Sequence, residues 1–259
     1  MYNLLLALGG GLVTFVAVTV WLGPVAGIVP ALGVIGLVMF LLARRTGKQV
    51  EAEIATVGPL LQQRRIDEAE TKLVHIKEKY GPWQFLLAGQ IDAQLGMIDY
   101  LQRKFDDARP KLEAGKWRNA IALASLGCID WRQGRKDDAW KQFAAAASAS
   151  STDATVYAVW ATLLSRDGLR TEALEAVGKG LTAIPGNAML KELQSRIANK
   201  KKIEPAQQFG ETWYQYFPED LAQQMVMRGT RPGGAANSAF GKLPQPPQPR
   251  FGARHAPRR

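Results

Sequence analysis

A thiol beside an imidazole is the simplest arrangement for nucleophilic catalysis, and this chain of 259 residues holds one cysteine, Cys128, and two histidines, His75 and His255. A thiol attacks as its thiolate and needs a base within hydrogen-bond reach. Cys128 falls inside "ALASLGCIDW", where a cysteine reads as helix packing. His75 lies two repeat units away, and His255 stands in a basic tail. These three residues form no cluster with metal-ligand spacing. No Gly-x-x-x-x-Gly-Lys loop offers a phosphate site, and the triple glycine at 9–11 lies within an apolar run. The expectation is a protein that is not an enzyme, that holds no cofactor or metal, and whose chemistry is binding.

Charge narrows what is bound. The chain carries 33 Lys plus Arg against 23 Asp plus Glu, a net charge of +10, with no charged side chain before Arg44. The excess is Arg44, Arg45 and Lys48, together with Arg228, Arg231, Lys242, Arg250, Arg254, Arg258 and Arg259; the block between them is balanced. Specific nucleic-acid binding, which needs a basic face on the folded domain, is not expected. The two local clusters suit contact with anionic lipid. A lone cysteine excludes an intramolecular disulfide and fits a reducing compartment.

The elements that position these residues begin with a membrane segment. Residues 2–43 contain no ionisable side chain except Tyr2. About 20 apolar residues cross a bilayer core as helix, so this run is long enough for two spans. "WLGPVAG" marks the turn, and the spans are predicted as Tyr2 to Leu22 and Val25 to Leu42, with Pro30 inside the second as a potential kink. A secretory signal fits poorly, because no basic region precedes the run and the run is too long. "ARRTGK" after the second span places the chain end on the cytoplasmic side, so a hairpin in the inner membrane of a bacterial-type cell is expected. Gly9, Gly10, Gly11, Gly23, Gly27, Gly33 and Gly36 would permit close helix contact in lipid.

Beyond it the chain repeats itself. "RRIDEAETKL" at 64, "RKFDDARPKL" at 103, "GRKDDAWKQF" at 134 and "GLRTEALEAV" at 168 align on Ala69, Ala108, Ala139 and Ala173. The spacing equals two helices and two turns. Asp67, Asp106, Asp137 and Thr171 are of helix-capping type and are predicted to cap the second helix of each pair. Leu73, Leu112, Phe143 and Val177 lie one turn past each alanine, and Val57, Gly96, Gly127 and Ala161, mostly small, lie twelve residues before it. After the last copy, Met189, Leu190, Leu193 and Ile197 mark one face of a helix that would cover the exposed end of the stack.

This pattern resembles the tetratricopeptide repeat (TPR) family, most closely over 120–153 (Leu123, Leu126, Gly127, Ala139, Phe143, Ala146) and 154–187 (Tyr157, Ala161, Ala173, Pro185). The copies beginning near Val50 and at about 89 are degenerate. Together with the apolar run and the tail composition, the resemblance leads to an expected all-α chain: a transmembrane helical hairpin (1–43), a TPR-like α-solenoid of about four helix pairs with a capping helix (44–202), an aromatic-rich helical segment (203–228) and a basic Pro/Gly-rich tail (229–259) without stable structure. It also implies a concave groove for a protein partner, lined by Gln90, Met97, Tyr100, Trp131, Arg132 and Arg166. Tyr100 and Trp131 would be aromatic anchors there, and Arg132 and Arg166 would pair with a ligand carboxylate. Trp131 packing between neighbouring repeats is the other reading of that residue.

Phe209, Trp213, Tyr216 and Phe217 cluster at helical spacing before a fresh helix start at Pro218. They form either a further helix pair packed on the solenoid or an aromatic segment that docks on a partner or in the solenoid's own groove. Three functions stay open on these residues. The first is a membrane-tethered scaffold or assembly adaptor. The second is a structural subunit that packs through its glycine-rich hairpin. The third is a lipid or nucleic-acid tether working through the tail.

Overall fold

The computed structural model describes residues 2–83 and 86–227, and every regular element among them is an α-helix. The basic tail expected at 229–259 lies outside the described residues.

Helices α1 (Tyr2–Leu22) and α2 (Pro24–Ala55) pack along one another as a hairpin that turns at Gly23. Both are long and apolar enough to cross a membrane. They leave large apolar side chains outward, among them Val13 at 71 %, Val20 at 78 % and Val25 at 81 % exposure. The first predicted span coincides with α1. The second does not stop at Leu42: α2 runs on through Arg44, Arg45 and Lys48 to Ala55, and Pro30 lies inside it without ending it. Residues 43–55 are mostly Ala, Arg, Lys, Gln and Glu, strong helix formers that carry the helix through Gly47 with no proline to stop it. The apolar hairpin and the helix pairs that follow are therefore joined by a continuous helix.

Of the hairpin glycines, Gly11 and Gly27 serve the α1–α2 contact. A Cβ on Gly27 would lie 2.8 Å from Thr19 Oγ1 and 3.1 Å from the Phe15 carbonyl oxygen, and one on Gly11 would collide with Ile35. Gly9, Gly33 and Gly36 face open space. At the base of the hairpin the Asn3 amide donates to the Thr46 hydroxyl at 3.3 Å. The Tyr2 N–H donates to the Pro82 carbonyl at 2.9 Å, and its ring meets Trp83 edge-on at 5.2 Å. The chain thus returns to the end at which it began.

Next come helix pairs in series: α3 (Val57–Gln62) with α4 (Ile66–Tyr80), α5 (Leu87–Leu101) with α6 (Phe105–Gly115), α7 (Ala120–Arg132) with α8 (Lys136–Ala149), and α9 (Ala154–Arg166) with α10 (Arg170–Ala183). Helix α7 also touches α5 and α9, which joins the pairs into one stack. Helix α11 (Ala188–Ala198) closes the row with Leu190, Leu193 and Ile197 buried. All four aligned alanines are fully buried, and Leu73, Leu112, Phe143 and Val177 lie beside them in the core. The small residues opposite are small for a steric reason. A Cβ on Gly96 would lie 2.8 Å from Leu112 Cγ, and one on Gly127 would lie 2.9 Å from Phe143 Cε2.

The predicted caps are corrected. Helices α4, α6, α8 and α10 start one residue before Asp67, Asp106, Asp137 and Thr171, and none has a side-chain cap. Their acids sit in the first turn, where the helix dipole favours them. The turn before each is closed by the preceding helix instead: Arg135 N–H reaches the Asp130 carbonyl at 2.9 Å and Gly134 N–H reaches Trp131 at 3.1 Å, the paired bonds of a Schellman motif. The same pair recurs in the other three copies, with Arg64, Arg103, Gly134 and Gly168 at φ 61°, 63°, 77° and 81°. Side-chain caps belong to the first helices. Asn119, Asp153 and Asn187, evenly 34 residues apart, accept from Ala122, Thr155 and Leu190 N–H at 3.1, 2.9 and 3.0 Å.

The aromatic segment does not extend the row. Helices α12 (Pro205–Phe209), α13 (Glu211–Tyr216) and α14 (Pro218–Met227) follow the helix-free stretch 199–204, and α13 folds back onto α7. Trp213 and Tyr216 are among the largest fully buried side chains of the molecule.

Candidate functional site

The site is built at the C-terminal ends of α5, α7 and α9. Tyr100, Trp131, Arg132 and Arg166 occupy the last turns of these helices, where a cation also meets the negative end of the helix dipole. Because successive first helices lie side by side, three helix ends bring these residues together although the chain separates them.

Arg132 is the hub. Its Nη1 donates to the Tyr100 hydroxyl at 2.8 Å, its Nη2 to the Tyr216 carbonyl at 2.7 Å, and Nε and Nη2 both reach Glu219 Oε1, at 2.9 and 2.7 Å. The Tyr100 hydroxyl donates to the same Tyr216 carbonyl at 2.6 Å. The guanidinium lies over the rings of Phe217 at 4.5 Å and Phe105 at 4.7 Å. Burial works against the charge of Arg132, and the fields of Tyr100, Cys128 and Glu219 outweigh it, so its pKa is raised further above the ordinary arginine value.

The aromatic segment fills the remaining space. Trp213 stacks on Phe217 with centroids 4.3 Å apart and donates its indole N–H to Asp220 Oδ2 at 2.7 Å. Trp131 meets Phe217 edge-on at 6.1 Å, and its own indole N–H goes to Asp167 at 3.0 Å. Arg166 lies over Trp213 at 5.1 Å and Phe217 at 5.7 Å. Burial lowers its pKa, and nearby Asp220 and Glu219 offset part of that. Each buried aromatic ring contributes about 2 kcal/mol through apolar area removed from water. Against this, Glu219 Oε2 and both amide atoms of Gln208 are buried without hydrogen-bond partners, each at a cost of about 1–3 kcal/mol.

The structure gathers four of the six expected groove residues, Tyr100, Trp131, Arg132 and Arg166, and all four residues of the expected docking segment. Gln90 is exposed near the opposite end of α5, and Met97 sits against Ser125, whose hydroxyl lies 3.3 Å from its sulfur. Phe105, Asp167 and Glu219 take part without having been singled out. Asp167 directly follows Arg166, and Glu219 reads from sequence as a helix-start acid, so each had a local explanation that hid its tertiary role.

Cys128 is fully buried on α7, and burial pushes its thiol up to about 12, while His75 is exposed on α4. A thiol held protonated in a core is packing, not a nucleophile. Among the described residues no group of three His, Cys, Asp or Glu is placed to hold a metal ion.

No family model matches the chain, and no curated protein matches it significantly. The functional reading accordingly rests on the site itself.

Proposed function

We propose that this is a membrane-tethered adaptor whose TPR-like helix pairs hold a protein partner at the α5, α7 and α9 helix ends. One observation carries the reading: that face already grips a helical segment rich in aromatic rings and acids, through a half-buried arginine hub and a stacked ring pair. A face that binds such a segment within its own chain has the chemistry to bind one from outside. The outward apolar residues of α1 and α2 support an anchor in the inner membrane, and Arg44, Arg45 and Lys48 at the end of the second span support a cytoplasmic repeat domain in contact with anionic lipid. Tethering turns partner capture into a near-surface event at raised effective concentration.

A second reading is favoured by Gly9, Gly33 and Gly36, which face open space on the hairpin. On it the hairpin packs against other membrane helices and the repeats brace it.

Crosslinking in native membranes followed by mass spectrometry separates the two, comparing wild type, Arg132→Glu and Gly33→Leu/Gly36→Leu. Loss of one abundant crosslinked protein from Arg132→Glu alone, with the variant helical by circular dichroism, supports the adaptor. Loss from the glycine variant alone moves the working surface to the hairpin.

A further inference from the structure

The face that the adaptor reading assigns to a partner is not empty, and how it is filled describes the partner. The occupant presents two rings four residues apart, Trp213 and Phe217, then a carboxylate two residues on, Glu219. Helix α13 ends at Tyr216, and Phe217 leaves the helix at φ −131°, so its ring stacks back on Trp213 while Glu219, in the first turn of α14, reaches Arg132. This triplet is the template of what the face recognises.

The fit is incomplete in specific ways. Arg166 stacks on the rings but has no carboxylate in ion-pair contact among the described residues, so two cations share one bonded acid. Glu219 Oε2 and the Gln208 amide are buried without partners. The segment is three short helices of 5, 6 and 10 residues, joined to the stack through the helix-free stretch 199–204, where Lys200 holds φ 53°. A second copy of this chain would bring the same segment with the same unmet atoms and would gain nothing. A different protein with a second acid toward Arg166 would meet more of the face's polar groups.

We propose that residues 205–227 are an exchangeable occupant of the Tyr100–Trp131–Arg132–Arg166 face, and that the partner is a protein offering a short segment in which two aromatic rings four residues apart close one helical turn and acids open the next. This rests on the adaptor reading. The intrachain segment then sets a threshold: a partner binds only as tightly as it outcompetes residues already tethered at the site.

The test uses the full chain in detergent micelles and fluorescence anisotropy with two labelled peptides. One is residues 205–221 of this sequence. The other has an Ala/Lys background that keeps the proline directly after the second ring and carries only the two aromatics and two following acids at the template spacing. The chains are wild type and Phe217→Ala/Glu219→Ala, which weakens the built-in occupant, each with and without Arg132→Glu; resistance of Cys128 to a thiol reagent checks the fold. Both peptides should bind the weakened variant, wild type should bind at least about tenfold more weakly because its own segment competes, and Arg132→Glu should abolish binding. Should the double variant lose its fold, Glu219→Lys alone is measured in the same way.

Failure of a folded variant to bind either peptide, or equal binding to wild type and variant, overturns the proposal and makes 205–227 a fixed part of the core. Exchange of tagged and untagged wild-type chains into a dimer would place a second copy on the face and overturn it too. The adaptor reading is judged separately: a crosslinked partner in the membrane experiment with no peptide binding here sinks only the exchange, and peptide binding without a crosslinked partner sinks only the adaptor.

Discussion

Arg132 and Glu219 lie 87 positions apart, yet two donors of the one converge on a single carboxylate oxygen of the other, at 2.7 and 2.9 Å. The pair ties the last turn of α7 to the start of α14. Around it lie the Tyr100 hydroxyl, bonded to the Tyr216 carbonyl, and the stacked rings of Trp213 and Phe217.

Breaking the pair from one side leaves a charge with no partner. Arg132→Glu also sets two acids against each other, and with side chains 16 % and 29 % exposed the expected loss is about 2–3 kcal/mol, somewhat less than for a fully buried pair. Arg132→Glu/Glu219→Arg should recover part of it. Denaturant midpoints of the four chains, followed by tryptophan fluorescence, close the cycle; no recovery in the double variant would mean that the two side chains are not coupled.

The left-handed positions of the repeat turns make a prediction of opposite sign. Two copies have glycine there, and two have arginine at φ 61° and 63°. A residue with a Cβ is strained in that region, and glycine's greater freedom in the unfolded chain offsets part of the relief. Arg103→Gly should therefore stabilise by about 0.5–1 kcal/mol. A thermal melt read by circular dichroism should move upward, while Gly134→Ala, which adds the strain, should move it downward.

Gly127 tests the close approach of α7 and α8. Its added Cβ would press on Phe143 Cε2 at 2.9 Å and Cδ2 at 3.0 Å. Gly127→Ala should destabilise by about 1–3 kcal/mol as an overpacked core does, although alanine is the better helix former. Shrinking the neighbour in Gly127→Ala/Phe143→Leu should return part of the loss, measured as a shift in urea midpoint.

Alkaline pH should unfold the protein through its buried acids. Burial raises the Cys128 thiol from 9.0 to about 12 and lifts the Tyr100 and Tyr216 hydroxyls well above their usual value. A raised folded pKa means that the native state holds its proton more tightly than the unfolded chain. Stability is then intact below about pH 9 and falls as pH rises toward 12, at about 1.4 kcal/mol per pH unit for each group in its window. Cys128→Ala should flatten the slope between about pH 9 and 10, before the tyrosines contribute. An unchanged slope in that interval would remove the thiol from the account.

The hairpin, the helix pairs and their buried alanines were legible in the sequence, because each is written by local rules: apolar length for α1 and α2, and a recurring small–large pattern for the crossings. The caps were misplaced by one helix. Asp67, Asp106 and Asp137 have the right chemistry, but a Schellman closure of the preceding helix already occupies the turn, and the evenly spaced Asn119, Asp153 and Asn187 do the capping.

The site was legible only as parts. The repeat resemblance marked Trp131, Arg132 and Arg166 as groove residues, residue types and spacing marked Phe209, Trp213, Tyr216 and Phe217 as a docking segment, and whether the second group would dock on the first stayed open. That choice belongs to the tertiary structure. It depends on burying stacked rings against helix ends and on one guanidinium reaching a hydroxyl, a carbonyl and a carboxylate together, and those are distances in space that no spacing along the chain encodes.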